Sequence, residues 1–167
     1  DDELITTDRG NRASLAQRLR PHGIALALYT ALAAIALNNL VRHLTTAVPA
    51  TQNWDYALFY WNLWWAKYAV FDLHRNPLFT NYVLYPYTVN LALHTHTLLT
   101  GLLTAPFQMV FDLKLVFNGV LLGSFITSAY FSFLFLRHHT AQEGLAIVGG
   151  ALFAFMPTMI SRASNGH

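Results

Sequence analysis

Residues 53–96 read NWDYALFYWNLWWAKYAVFDLHRNPLFTNYVLYPYTVNLALHTH, and this stretch separates two strongly apolar regions. All four tryptophans fall in its first thirteen residues, and six of the eight tyrosines lie within it. Trp and Tyr carry an apolar ring with a polar edge, so they collect where hydrocarbon gives way to headgroups and water. The stretch therefore reads as a membrane-interface segment. It has one early carboxylate, Asp55, an amide at Asn62, and a proline-bounded aromatic run from Asn76 to Pro86. In a helix that starts near Trp54, Asp55, Phe59 and Asn62 fall on one stripe, with the polar pair turned toward a headgroup or a site.

Composition supports the membrane reading. The chain is 54% hydrophobic and only 11% charged, against roughly 25% charged residues in an average soluble domain. Too few charges are present to solvate a globular surface, which makes this an integral membrane protein. No cysteine occurs, which removes disulfides, thiolate metal sites and thiol nucleophiles. Ten basic and eight acidic residues are scattered without a long run, so the footprint of a nucleic-acid partner is absent. Residues 1–22 pass from acidic (Asp1, Asp2, Glu3, Asp8) to basic (Arg9, Arg12, Arg18, Arg20) and lack a signal-peptide pattern, so they are expected to form a cytosolic arm.

Gly23–Val41 has no charge over a length close to the ~20 residues that cross hydrocarbon, and is the first expected transmembrane helix. Four arginines precede it and Arg42 follows, so the N-terminus is expected in the cytosol and the loop over residues 43–88 outside. Val89–Phe111 is long enough to span, but His94, His96, four threonines, Pro106 and Gln108 interrupt it. Polar groups in hydrocarbon need partners, so the segment is expected to be interfacial or re-entrant. Leu115–Leu136 and Gly144–Ile160 are the second and third expected spans. Gly119, Gly123 and Ser124 in one, and Gly149 and Gly150 in the other, offer small faces to packing helices. The expected fold is an all-α membrane protein: three transmembrane helices plus external juxtamembrane or re-entrant helices, in a single membrane domain over residues 23–167. Four crossings are the alternative.

Few residues carry chemistry. Asp55 can bind a metal ion, orient a hydroxyl or act as a general base, or simply favour a helix N-terminus through the dipole. His94 and His96 point to different faces of a helix, so a joint site needs extended backbone. Arg162 can pair with phosphate or anchor at the interface.

The order Asp55, Phe59, Trp61, Trp64 and Trp65, then NPLFTNYVLYP at 76–86, then Asn90, Leu91, His94 and Thr95, resembles the N-terminal part of bacterial multi-spanning GT-C type glycosyltransferases and their uncharacterised relatives. The likeness continues through Gly101, Asn118, Arg137 and FAFMP at 153–157, covering roughly residues 20–167. It implies a site in the bacterial cytoplasmic membrane, with Asp55 as the active-site aspartate of the first external loop. The implied donor is a sugar linked to a polyprenyl phosphate or diphosphate. On this reading Arg162, His94 and His96 meet donor phosphate, while Asn62, Trp61, Trp64 and Trp65 line the substrate. The cofactor stays open, with Mg²⁺ or Mn²⁺ on Asp55 as the candidate. Family enzymes carry further spans, so the chain is expected to be a fragment or a shortened relative, inactive alone. The alternative is a non-catalytic accessory transmembrane subunit, whose partners are membrane lipids and other transmembrane helices.

Overall fold

The computed structural model describes residues 2–49, 55–95, 97–140 and 142–164, with side chains from Gln17 onward. Trp54, His96, Gly166 and His167 lie outside these residues. In order, the elements are α1 (Asp2–Ala36), α2 (Asn38–Arg42), α3 (Asp55–Lys67), a π turn (Tyr68–Asp72), β1 (Phe79–Leu84), β2 (Tyr87–Asn90), a 3-10 turn (Leu91–Leu93), α4 (Leu98–Gln108), α5 (Leu113–His139), α6 (Glu143–Ala154) and α7 (Pro157–Ser164). The chain is mostly helical, as expected. The all-α expectation is amended by the β1–β2 hairpin, in which Phe79 pairs with Asn90, Thr80 with Val89 and Leu84 with Tyr87. Aromatic and β-branched residues favour that pleated pairing, and Pro86 cannot continue a helix.

Among the described residues two helices are long and apolar enough to cross a membrane, Gln17–Ala36 within α1 and Leu113–His139. A third candidate forms if α6 and α7, bent by 43° at their junction, count as one span. The first span starts earlier than Gly23 and stops short of Val41. Arg18 and Arg20 can lie at its end because long basic side chains reach outward to the headgroups. A turn at Leu37 and the Asn38–Asn39 pair end it, since asparagine competes for backbone hydrogen bonds. Val89–Phe111 is no continuous helix. It comprises the end of β2, the 3-10 turn and the eleven-residue α4, about 16 Å long against a hydrocarbon core of about 30 Å.

Clustering of the chain gives two compact units: residues 1–38 with 122–159, and 39–121 with 160–167. The first is built from α1, most of α5, and α6. Its core is Ala25, Tyr29, Ala129, Phe133, Ala146 and Ala154, residues small enough at four positions to let backbones approach. A Cβ on Gly150 would stand 2.5 Å from both the Ala129 carbonyl oxygen and the Tyr29 hydroxyl. That hydroxyl donates to the Ile147 carbonyl at 2.9 Å, which pairs a buried phenol inside an apolar core. The small pair Gly149–Gly150 thus meets helices of its own chain, whereas a Cβ on Gly119 or Gly123 would have nothing within 4 Å.

The second unit packs α3 against α4. They cross most closely at Gly101, where any Cβ would collide with the Ala66 Cβ. Leu63, Phe117 and Leu121 form one apolar cluster. Trp65, Ala69 and Leu91 form another, covered by Trp61, Trp64, Tyr68 and Leu73.

Candidate functional site

Asp55 opens α3 and is exposed. A carboxylate at this position is stabilised by the positive end of the helix. Asn62 follows on the same stripe about 10 Å along the axis, yet it is wholly buried. Its Nδ2 donates to the Thr95 carbonyl at 2.7 Å, while Oδ1 has no partner. The polar stripe is therefore divided: Asp55 faces outward, and Asn62 clamps the segment after the hairpin onto α3.

Two further clamps act on the same helix. Trp65, 2% exposed, donates Nε1–H to the Pro77 carbonyl at 2.8 Å. Gln108, at the end of α4, donates Nε2–H to the Leu63 carbonyl at 3.1 Å and to the Thr104 hydroxyl at 3.1 Å. Each is a long-range bond from a side chain to a backbone carbonyl, or depends on one, and each fixes α3 against a different element. Burying these donors unpaired would cost about 1–3 kcal/mol apiece.

The rings stack along one side of α3. Trp61 lies parallel to Trp65 at 5.6 Å, and Trp64 lies on Tyr68 at 4.8 Å. Tyr82 of β1 closes the group, 5.3 Å from Trp65 and 6.1 Å from Tyr68. Such pairs contribute roughly 0.5–1.5 kcal/mol each beyond the area they bury. Hydrogen bonding with Tyr82 raises the Tyr68 phenol above its ordinary value, and the charges of Tyr82 and Asp72 act in the same direction. Burial raises Tyr60, and the nearby Asp112 carboxylate adds to this.

The exit from α3 is set by the π turn. Its wider spacing brings Lys67 and Asp72, five residues apart, into an ion pair at 2.7 Å. The chain then reverses at His74, which has a φ of 52°. The Arg75 N–H bonds the Ala69 carbonyl across this reversal at 2.8 Å, a helix-stop pattern that relies on one residue in the left-handed region. The start of α5 is fixed by Asp112, whose carboxylate accepts the Lys114 N–H at 2.8 Å. Asn118, fully buried, donates to the carbonyls of Leu44 and Ala47 at 2.8 and 2.7 Å, which ties down the loop after α2.

Of the residues singled out from sequence, Trp61, Trp64, Trp65 and Asn62 come together on α3. The Asn62–Thr95 bond brings the neighbouring His94, exposed and extended, beside them. Arg162 is exposed on α7, and His96 is outside the described residues. No group of three or more His, Cys, Asp or Glu side chains able to hold a metal ion forms among the described residues. They do not build a Mg²⁺ or Mn²⁺ site by themselves. Sequence reasoning passed over Tyr68 and Tyr82. Gln108 stood out in the sequence as a polar break in an apolar segment, but not the carbonyl that its buried amide reaches.

Comparison with protein-family models, with curated proteins and with solved structures finds no match for this chain.

Proposed function

We propose that this chain is the external-face module of a GT-C-like membrane glycosyltransferase, presenting Asp55 to a sugar carried on a polyprenyl phosphate or diphosphate. The observation that carries the reading is the setting of Asp55: an exposed carboxylate on the first turn of a helix that Asn62, Trp65 and Gln108 clamp along its length. A charge held on a rigid element needs little reorganisation when the reaction occurs. Asp55 takes the proton of the acceptor hydroxyl as that oxygen attacks the anomeric carbon. The bond from sugar to phosphate breaks, and the lipid phosphate leaves with the electron pair. Trp61 and Trp64, half-buried, offer ring faces to sugar or lipid. His94, His96 and Arg162 are the residues assigned to donor phosphate.

The proposed setting is the bacterial cytoplasmic membrane, with the N-terminus in the cytosol and residues 43–88 outside. The bias of arginines around the first span supports this orientation. Transfer of labelled sugar from a polyprenyl-phosphate donor, measured in membranes that contain the protein with its partner helices, is expected to fall ~100-fold to ~10,000-fold with Asp55→Asn. Undiminished transfer would remove Asp55 from the mechanism.

One observation favours the accessory-subunit reading. Only 22% of each candidate span's apolar window is buried within the chain, which leaves most of both helices for lipid or for other helices. On that reading the purified chain transfers no sugar and co-purifies with other membrane subunits, and Asp55→Asn changes neither result.

A further inference from the structure

Within the first unit, α1 and α6 border an open depression of ≈ 350 Å³ lined by Gln17, Arg20, Pro21, Ile24, Glu143 and Ile147. This is near the lower end of the ~300–1,000 Å³ typical of small-ligand pockets. Four chemical features converge there. Arg20 is an exposed cation without a carboxylate partner among the described residues. Glu143 is an anion whose Oε1 forms an ion pair with Arg137 Nη2 at 3.2 Å. Pro21, inside the helix, has no N–H to give, so the Gln17 carbonyl four residues earlier lacks its helical donor. Ile24 and Ile147 supply an apolar wall on the side that leads into the span.

This set selects its ligand by charge and donors. Arg20 suits any phosphate, and Glu143, whose Oε1 pairs with Arg137, keeps a second carboxylate oxygen that suits a cationic group. A carboxylate and a carbonyl without its usual helical donor together favour a cation with N–H donors, which a primary ammonium has and a trimethylammonium lacks. The apolar wall and the position at the start of a membrane span ask for a ligand that continues into acyl chain. Arg137 keeps Glu143 in place: its other guanidinium nitrogen bonds His22 Nε2, and the group lies 5.9 Å from the centre of the Phe133 ring.

We propose that this depression is a binding site for phosphoethanolamine chemistry, supplied as the headgroup of a membrane phospholipid. The phosphate lies on Arg20, and the ammonium lies between Glu143 and the Gln17 carbonyl. The site is separate from Asp55 and does not depend on the glycosyl-transfer reading.

The test is native mass spectrometry of the full chain, stripped of lipid in mild detergent and then offered phosphatidylethanolamine, phosphatidylcholine or phosphatidylglycerol at equal concentration. A parallel arm offers free phosphoethanolamine. Phosphatidylethanolamine should be retained about tenfold over either other lipid, the size expected for one charge-assisted hydrogen bond. Arg20→Gln, at an exposed position that leaves the helices intact, should lower retention of all three. Glu143→Gln should abolish the preference for phosphatidylethanolamine over phosphatidylglycerol, with far-UV circular dichroism confirming an unchanged fold. Equal retention of the three lipids, or no effect of Arg20→Gln, would overturn the site. Binding of free phosphoethanolamine without retained lipid would overturn the lipid as its source.

Discussion

The two units are held together by different physics. In the first, small residues bring helix backbones close. Ala25, Ala129, Ala146 and Gly150 set the spacing, and one phenol bond from Tyr29 to Ile147 satisfies the polar atom enclosed there. In the second, elements of different kinds meet, and amides and an indole join them by reaching distant carbonyls: Asn62 to Thr95, Trp65 to Pro77, Gln108 to Leu63, Asn118 to Leu44 and Ala47. Helices in hydrocarbon satisfy their own backbones and need only shape to associate. Irregular backbone has open carbonyls, and side chains must supply the missing donors. The candidate chemistry sits on the second kind of construction, where a turn or a loop can be fixed at will.

The largest expected effect comes from Trp65→Ala, which removes a buried ring and its bond to Pro77 together. A loss of ~3–5 kcal/mol is expected. Hydrogen exchange should show it as lost protection in α3, β1 and α4, while α6 and the later part of α5 keep theirs. Equal loss in both regions would mean that they form one cooperative structure. Gly150→Val is the converse substitution. Its Cβ meets the Ala129 carbonyl, the Tyr29 hydroxyl and, at 3.2 Å, the Phe133 nitrogen, a clash worth ~1–3 kcal/mol. Protection should fall in α6 and survive in α3.

The smallest effect is alkaline. A phenol raised in the folded state favours its neutral form there. The stability this contributes is present below the unfolded value near 10 and is lost as pH rises through the raised folded value. Tyr68, raised first by its hydrogen bond with Tyr82, should ionise after the exposed tyrosines in an ultraviolet titration. Tyr82→Phe should bring that late step down. A late step left at the same pH by Tyr82→Phe would show that the hydrogen bond with Tyr82 is not what raises Tyr68.

Much of the helical content could be read from sequence because it rests on local properties. Apolar length marked Gly23–Val41 and Leu115–Leu136 near the two helices apolar enough to cross a membrane, and the aromatic density at 53–96 marked the segment that carries α3 and the hairpin. The interruptions in Val89–Phe111 pointed away from a continuous crossing, and the structure resolves that segment into a strand end, a turn and a short helix. The bonds made by Asn62, Trp65 and Gln108 were not legible. They join residues 12 to 45 positions apart, and no periodicity encodes which carbonyl a buried amide will reach. The same limit applies to Asn62 in the candidate site. Helical spacing placed it on the stripe of Asp55, but spacing alone does not say which end of a stripe turns inward.

The proposed topology has the clamped α3 and its hairpin on the outer side of a membrane and the Arg137–His139 end of α5 in the cytosol. The absence of native cysteine makes a direct test clean. Single cysteines at Asn76 and at His138, both exposed positions, are treated with a membrane-impermeant thiol reagent in intact cells and again after permeabilisation. The account predicts labelling at position 76 in intact cells and at position 138 only after permeabilisation. Labelling at 138 in intact cells with protection at 76 would contradict it.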